Sequence, residues 1–385
     1  MSTLKVDALK SANGNSFILD VADRNMIING DMQVAQKGTS AANTVNGQTN
    51  TLDRWHSIVQ QGGFYQQDQS SDAPDGFLYS LKMTCTNNTT SYSATSGQIV
   101  VEQRVEGSEL QHLKYGTTTP RSTTLSFWVK SSVTGTYSVQ LLTSTGTQQL
   151  IAALYTINAA DTWEKKTITF PGNDNTTFGA ISSAYNSYLA VKFRLYAGTN
   201  YTSGTLATTW QNSLGADFAV GQTANVSSAV NNEWYITGVQ WEVGENTTDF
   251  KYETFQQTFL KCSRYYQRLN RNISYPNYTE AVYIGWGQYF STTQAVVPWP
   301  LITPFRGTAP TVQYNAATDI TIVDNAPAAV GSTAIGLYND TSQTGEYHIR
   351  RPVLLITVAS ATSGRIGRAF LSSGATSWVA LNAEF

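Results

Sequence analysis

Short runs in which apolar and polar residues alternate, separated by clusters of Gly, Asn, Ser and Thr, recur through most of this 385-residue sequence. The clearest run is residues 189–196, where one face carries Leu189, Val191, Phe193 and Leu195 and the other carries Lys192, Arg194 and Tyr196. A two-residue period is that of a β-strand with one buried and one solvated face. Because such strands form antiparallel sheets that bury their apolar faces against each other, residues 26–252 are predicted to form a β-sandwich.

Further strands are predicted on both sides of one helical segment. Before it they lie at 98–105, 125–130, 137–142, 166–170 and 234–243, and after it at 281–289, 294–300, 311–314, 347–358, 365–371 and 378–381. Residues 270–385 are therefore predicted to form a second, smaller C-terminal β-sandwich. Residues 1–25 contain strand-like runs at 4–9 and 16–21 and are interpreted as an N-terminal docking or leader segment, because so short a piece cannot bury a core alone.

Between the two β domains the pattern changes to a helical period. The apolar positions there are Phe255, Phe259, Cys262 and Tyr266. Thr254, followed three residues later by Gln257, is a capping-box signature for the start of a helix. We predict a linking helix over residues 253–269, and a strand with a polar break is the alternative for this segment. The fold class is thus all-β, with two β domains joined by one short helix.

The composition narrows the range of functions. Charged residues make up 13% of the chain and its formal net charge is −2, so it lacks the excess of cations that binds a nucleic-acid backbone. Aromatic residues make up 12%, which is enough, with the aliphatic residues, to build cores and to argue against global disorder. The longest strongly apolar stretch, residues 353–358, is far shorter than a membrane span. We therefore expect no nucleic-acid partner and no membrane insertion.

The search for catalytic motifs is negative. The three histidines, His56, His112 and His348, stand in no metal-protease spacing, and neither a nucleophile elbow nor a phosphate-binding loop occurs. A glycosidase needs only two carboxylates brought together in space, and Asp53, Glu102 and Glu242 are the candidates for that chemistry. Carboxylates on the exposed face of a strand are more often plain solvated residues than catalytic ones. His56 could pair with Asp53 in a catalytic site, but the preferred interpretation is that it lies at the start of a strand. The prediction is a non-enzyme with no catalytic residues.

A metal site has one candidate. The turn Asn29-Gly30-Asp31 near the start of the first domain and Asp249 near its end could approach each other, and oxygen ligands of this kind suit calcium. An Asn-Gly turn with a solvated aspartate is the preferred interpretation. Neither a metal nor another cofactor is therefore predicted. The two cysteines, Cys85 and Cys262, are far apart in sequence, so a long-range disulfide is a minor alternative to free thiols.

Aromatic residues in turns and on the polar faces of strands are candidates for contact with a sugar. A ring stacks on the apolar face of a sugar, while amides and hydroxyls around it bond the sugar hydroxyls. The candidate glycan-contacting residues are Trp128, Tyr196, Tyr201, Trp210, Trp286 and Trp299. Each is more often a packing residue when taken alone, and Trp128 and Tyr196 could equally face a second core.

Several strings, taken in order, resemble a known family. They are NMIINGDMQ at 25–33, DRW at 53–55, QRVEG at 103–107, LSFWVK at 125–130, TWE at 162–164, GVQWEVG at 238–244 and CSRYYQ at 262–267. Together with the opening STLKVD they resemble tail-fibre-type virion proteins of marine podoviruses and myoviruses that contain a carbohydrate-binding-module-like jelly roll. Met32 departs from the usual aromatic residue after Gly-Asp, and the last ~115 residues match only loosely.

The resemblance implies a virion protein, most simply a bacteriophage tail fibre that attaches to a host surface polysaccharide without catalysis. It also implies a jelly-roll fold for the first domain, a homotrimer, and docking to other virion proteins through the N-terminal segment. The alternative function is purely structural, as a head fibre, a capsid decoration protein or a tail adaptor.

Overall fold

A computed structural model describes residues 9–10, 16–17, 24–43, 47–49, 51–144, 147–174, 181–184, 188–270, 283–307, 310–323, 330–338, 352–359, 365–371 and 377–384. The prediction of an all-β fold is confirmed, since strands account for nearly all of the regular structure. The strands before the helix are β1 (Leu9–Lys10), β2 (Ser16–Phe17), β3 (Ser40–Asn43), β4 (Gly47–Thr49), β5 (His56–Gln60), β6 (Gly62–Ser70), β7 (Ser80–Tyr92), β8 (Gln98–Glu106), β9 (Thr123–Ser131), β10 (Gly135–Thr143), β11 (Gln149–Ile157), β12 (Glu164–Phe170), β13 (Tyr188–Ala197), β14 (Gln211–Asn212) and β15 (Glu233–Val243). Short 3₁₀-helices cover Gly107–Leu113, Thr199–Tyr201, Gly215–Asp217 and Val226–Ser228.

The first β domain is a sandwich of two antiparallel sheets. One sheet has seven strands in the order β14-β11-β10-β13-β8-β5-β4, and the other has six in the order β12-β9-β15-β7-β6-β3. The predicted apolar stripe of β13 is confirmed, because all four of its side chains are fully buried in the shared core. Trp55, Trp234 and Trp241 are the largest rings in that core. The polar side chains of each strand are left on the two outer faces.

A bulge in β15 shapes the outer face of the six-stranded sheet. The register of β15 with β9 shifts between Thr237 and Gln240, and Gly238 lies there with a φ of +59°. A Cβ at this position would come within 2.6 Å of the Phe77 ring, so glycine is required both by the backbone and by close packing. The bulge thereby lets Phe77 lie across the strand.

The linking helix exists but is shorter than predicted. Helix α1 covers Phe255–Ser263, and the Thr254–Gln257 capping box is formed in both directions. The prediction that it continues to residue 269 is wrong, since Tyr266–Asn270 forms strand β16. The helical spacing of Tyr266 is outweighed by tertiary packing: this residue pairs with Asn382 and buries its ring where the two β domains meet.

After the helix the chain returns to strands: β17 (Tyr283–Tyr289), β18 (Gln294–Pro298), β19 (Thr311–Tyr314), β20 (Ile320–Val323), β21 (Val330–Leu337), β22 (Val353–Val358), β23 (Ile366–Leu371) and β24 (Trp378–Asn382). The second, smaller β domain predicted here is present and has its own core. Six of its strands close into a barrel in the order β17-β18-β22-β21-β20-β23, beside a three-stranded sheet β16-β24-β19. Closure removes the exposed strand edges that an open sheet would present.

The proposed leader is described only in part. Strands β1 and β2 pair antiparallel, with Leu9 opposite Phe17, while the rest of the predicted runs at 4–9 and 16–21 lies outside the described residues. The boundaries predicted for the leader segment and for the two β domains stay predictions. Among the helices that the structure describes, none is long and apolar enough to cross a membrane.

Candidate functional site

The outer face of the seven-stranded sheet is unusually polar. Because residues of a strand alternate between faces, Glu102 of β8 and Lys192 of β13 lie opposite the core and are direct register partners. The same row continues to His56 on β5 and to Gln140 on β10. We call this surface, with Gln98 and Arg194 in the neighbouring rows, the polar face.

Ion pairs fix the centre of the polar face. The carboxylate of Glu102 contacts the Lys192 ammonium group and lies 2.6 Å from Nε of Arg104. Burial alone would raise the pKa of Glu102, but the charges of Lys192 and Arg104 outweigh it and lower this pKa to about 2. Burial also lowers the pKa of Lys192. Glu102 is therefore a permanent carboxylate, which accepts hydrogen bonds and cannot donate them.

Two aromatic rings form a wall beside these charges. Tyr201 and Phe218 are parallel, with ring centroids 6.1 Å apart, and the Arg194 guanidinium group lies 4.4 Å from the Phe218 centroid. Nη1 of Arg194 donates to Oε1 of Gln98 at 2.5 Å, and Nε2 of Gln98 lies 3.3 Å from the Tyr201 hydroxyl. Burial lowers the pKa of Arg194 to about 9. We call Tyr201 and Phe218 the ring wall.

The ring wall is held by the segment that follows β13. The Ala219 amide donates to the Tyr201 carbonyl at 2.8 Å, and the Ser138 hydroxyl donates to the Phe218 carbonyl at 2.9 Å. The Ala152 amide of β11 donates to the Ala207 carbonyl at 2.7 Å. Half-exposed rings attached to a sheet in this way form a preorganised surface, since little conformational freedom is left to lose on binding.

The six candidate aromatic residues are not brought together. Tyr201 belongs to the ring wall. Tyr196 and Trp299 are only 4% and 5% exposed, so their rings offer little surface to a ligand. Tyr196 stacks on Tyr92 with its hydroxyl donating to the Ser93 carbonyl, and Trp299 donates from Nε1 to Oε1 of Gln267.

The remaining three candidates lie elsewhere. Trp128 is half-buried on the outer face of the six-stranded sheet, where both it and Phe77 approach Gly238. Trp210 is half-buried and meets Tyr115 edge to face. Trp286, on strand β17 of the barrel, is 61% exposed.

Sequence reasoning missed most of the polar face. Phe218, Gln98 and Gln140 were not candidates, because no motif surrounds them. The alternation in β13 places Lys192 and Arg194 on the side opposite its aliphatic residues, and this was the sequence feature that could have indicated the polar face. A second ring cluster was also missed: on the six-stranded sheet, Nε1 of Trp163 donates to Asp72 at 3.1 Å, and the ring meets Tyr235 edge to face.

The candidate catalytic carboxylates occupy three different settings. Asp53 is buried and accepts hydrogen bonds from the backbone and side-chain amides of Gln36, and burial raises its pKa to about 6. Glu242 accepts from the Thr248 amide at 2.9 Å and from the Thr248 hydroxyl at 2.7 Å. Glu102 is held by cations on the polar face.

His56 was a possible partner of Asp53. Burial lowers its pKa to about 4, and its Nε2 lies 3.9 Å from the carboxylate of Glu384. The imidazole is therefore neutral near pH 7 and lies within a group of charges rather than in an open cleft.

The candidate calcium turn is used in packing. The Asn29 side-chain amide donates to the Val34 and Asp53 carbonyls at 2.9 and 3.0 Å, and the Gly30 carbonyl accepts from the Val239 amide at 2.9 Å. Asp31 accepts from the Gln33 side chain, and its pKa is raised by burial. Within the described ranges, no group of three or more His, Cys, Asp or Glu residues could hold a metal ion. Cys85 and Cys262 are both buried free thiols.

Three of the strings that resemble tail-fibre proteins, at 53–55, 103–107 and 262–267, meet where the two β domains join. The Arg54 guanidinium group lies 3.5 Å from the centroid of the Tyr265 ring, and Arg264 pairs with Glu106 at 3.1 Å. Glu384, from the end of the barrel domain, contacts Lys37 and lies 3.9 Å from Arg54. We call this region the joint. Its side chains bridge two parts of the chain.

Comparison with known proteins gives partial structural matches at low sequence identity. No family model matches the chain, and the search of curated proteins found no match. Among solved structures, the enzymatically active domain of tailspike protein 4 of bacteriophage CBA120 is 13% identical with a TM-score of 0.30, over 57% of this chain and 22% of that one.

Two carbohydrate-binding modules align over a similar share. The family 11 module of the cellulosomal cellulase Lic26A-Cel5E of Clostridium thermocellum is 13% identical with a TM-score of 0.28, over 54% of this chain and 100% of that one. The CBM22-1 xylan-binding domain of Xyn10C from Paenibacillus barcinonensis is 10% identical with a TM-score of 0.28, over 58% of this chain and 96% of that one.

Proposed function

We propose that this chain binds a host surface polysaccharide through its polar face and ring wall, without catalysis, as a bacteriophage virion protein of the tail-fibre type. The observation that carries the glycan proposal is the composition of one sheet face. The half-buried side chains of Lys192 and Gln98, held by the buried Glu102 and Arg194, lie there beside the half-exposed ring of Tyr201. Ammonium and amide groups next to an aromatic ring suit the recognition of sugar hydroxyls.

The chemistry of the two parts is complementary. A sugar presents hydroxyls around its edge and C–H groups on its faces. The ring of Tyr201 would stack on a C–H face, and the Gln98 amide, 3.3 Å from the Tyr201 hydroxyl, would bond a neighbouring hydroxyl. Contacts of this kind give modest affinity at a single site, and several copies on one particle convert it into avidity.

The proposal that the chain is not an enzyme is supported by the carboxylates. A general acid must carry a proton near the working pH, and the pKa of Glu102 is lowered to about 2. Asp53 has a pKa suited to acid–base catalysis, since burial raises it to about 6, but the side chain is fully buried at the joint. A depolymerase would release reducing ends from host polysaccharide, and we expect none.

The virion assignment is supported by the ordered strings alone. Under this proposal the chain is a homotrimer located in the virion, and residues 1–25 dock it to other virion proteins. A head fibre, capsid decoration protein or tail adaptor is the structural alternative. Antibody labelling of intact particles separates the two, since labelled tails support the fibre and labelled capsids support the alternative.

Glycan binding is tested with purified full-length chain on an array of host surface polysaccharides. We expect saturable binding that Tyr201→Ala weakens by about tenfold. Removing an aromatic ring that stacks on a bound nucleic-acid base costs ~1–3 kcal/mol of binding free energy, and we expect a similar loss for a sugar stacked on Tyr201. Tyr314→Ala is the matched control, because Tyr314 is an exposed tyrosine on β19, away from the polar face. Binding that is absent, or that is lost in Tyr314→Ala or Trp286→Ala but kept in Tyr201→Ala, would contradict the proposal.

A further inference from the structure

A cavity of about 200 Å³ lies at the joint, on the side of the first β domain. It is enclosed by the end of β8, the 3₁₀-helix Gly107–Leu113, helix α1 and the segment that begins at Asn25. Boundaries between structural units are common places for ligand sites. Apart from Arg104, the cavity shares no residue with the polar face, so it calls for an explanation of its own.

Cations dominate the lining. Arg54, Lys261 and Arg264 line the cavity, and Glu109 is the acidic residue that lines it in the part of the chain the structure describes. Each of these cations has a carboxylate partner outside the lining, and the partner of Arg54 is Glu384 at 3.9 Å. Arg264 is bonded by Glu106 at 3.1 and 3.3 Å, and Lys261 is paired with Glu253 at 2.6 Å. The cationic groups are thereby fixed in position before any ligand arrives.

The rest of the lining is mixed, since Asn25, Gln103, Arg104 and His112 are polar. Met26, Ile28 and Val105 contribute aliphatic surface, and the Tyr265 ring, which stacks on Arg54, closes one side. A site with cations on one side and an apolar wall on the other suits a ligand with an anionic group and a C–H face. A volume of 200 Å³ lies below the ~300 Å³ at which sites for drug-sized ligands begin, so it suits one ring rather than a chain of them.

We propose that this cavity binds a single acidic sugar unit, a hexuronate, with its carboxylate toward Lys261 and Arg264 and its ring on the apolar wall. The recognising chemistry is that of an oxyanion, which an inorganic ion could also supply, so the probes must separate the two sources. This site goes beyond the glycan function proposed above, because it uses cations at the joint rather than the ring wall.

The test uses the full chain and calorimetric titration with sodium D-glucuronate, D-glucose and sodium sulfate. We expect saturable glucuronate binding that weakens as sodium chloride is added, with glucose showing none. Sulfate should compete with glucuronate but bind more weakly, since it lacks the C–H face. Equal binding of glucose and glucuronate, tighter binding of sulfate than of glucuronate, or no saturation with glucuronate at tens of millimolar would each overturn the proposal.

Exposed Glu109 and half-buried Lys261 provide variants outside the hydrophobic core. Lys261→Gln should weaken glucuronate about three- to fivefold, and Glu109→Gln should tighten it by a similar factor, because a partly solvated charge contributes up to ~1 kcal/mol. Lys165→Gln, an exposed lysine on β12, is the matched control and should change nothing. A Glu109→Gln variant that weakens binding, or a Lys165→Gln effect as large as that of Lys261→Gln, would contradict the assignment.

The same variants distinguish this site from the polar face. Tyr201→Ala should leave glucuronate binding unchanged while weakening polysaccharide binding. Lys261→Gln should weaken glucuronate binding and leave the binding of a neutral polysaccharide unchanged. Loss of both activities in Tyr201→Ala, with the fold intact by circular dichroism, would mean that glucuronate binds at the polar face and would overturn the cavity assignment.

Discussion

The joint and the polar face both concentrate charge around a buried carboxylate, but they differ in how deeply the partners of that carboxylate are buried. At the joint, Glu384 is 3% exposed, and of its partners Arg54 and His56 are each 1% exposed while Lys37 is 14% exposed. On the polar face, Glu102 is 0% exposed, and both of its partners, Lys192 and Arg104, are 14% exposed. Four of the strings that resemble tail-fibre proteins, at 25–33, 53–55, 103–107 and 262–267, contribute to the joint and to the cavity beside it. On the polar face, Lys192, Gln98 and the ring wall belong to none of these strings.

The first test removes the central carboxylate of the joint. Glu384→Gln should lower the free energy of unfolding by about 3 kcal/mol, because it leaves buried cations without their counter-charge. Urea denaturation measures this. Glu245→Gln, an exposed glutamate, is the control and should stay close to the wild type. A Glu384→Gln variant as stable as its control would show that the joint is held by apolar packing alone.

The second test uses pH. Burial lowers the pKa of His56 to about 4, below its unfolded value of 6.5. Between these two pH values the unfolded chain binds more protons than the folded chain, so His56 makes the folded state less stable as the pH falls from 6.5 to 4. Burial raises the pKa of Asp53 to about 6 from 3.8, so Asp53 acts in the opposite direction, gaining stability as the pH falls through 6. The two effects oppose each other in the wild type.

Replacing His56 exposes the effect of Asp53. When the pH falls from 6.5 to 4, the wild type should lose about 2–3 kcal/mol more of its free energy of unfolding than His56→Gln does. This is the loss expected when the pKa of one histidine falls from 6.5 to about 4 on folding. Urea denaturation at a series of pH values is the measurement. Parallel stability curves for the two proteins across this range would mean that His56 does not titrate at the joint.

The third test concerns the polar face. Glu102→Gln should cost about 1–2 kcal/mol of stability, less than Glu384→Gln, because Lys192 and Arg104 can turn toward water when their partner is lost. It should also abolish polysaccharide binding if Glu102 positions the cations. The matched control is Glu233→Gln, which breaks the half-exposed Lys82–Glu233 pair on the other sheet and should cost less than 1 kcal/mol. A larger loss in Glu102→Gln than in Glu384→Gln would reverse the comparison.

The smallest effect is expected at the start of the helix that enters the joint. Thr254→Ala removes the hydroxyl that caps the helix and should cost about 1 kcal/mol. Thr247→Ala, in the irregular segment before the helix, is the control. Thermal unfolding followed by circular dichroism measures both. Equal melting temperatures for the two variants would show that the joint holds this helix without its cap.

Strand β11 shows why part of the sheet was missed in the sequence. Its residues do not alternate, because both faces are buried: Ile151 faces the sandwich core, while Leu150 and Ala152 pack under the segment around Leu206 and Phe218. A continuous apolar run of this kind is ambiguous from sequence alone. Strand β13 alternates cleanly, since its outer face is polar, and it was predicted almost to its ends.

The sequence by itself determined the local structure: the β period of strands such as β9 and β13, and the capping box that begins α1 at Thr254. These follow from side-chain periodicity and from hydrogen bonds between near neighbours. The tertiary structure decided the rest. Tyr196 and Trp299 were buried by distant parts of the chain, β16 replaced the end of the predicted helix by pairing with β24, and the last strands closed into a barrel. Each of these depends on contacts between residues far apart in sequence, which no local pattern encodes.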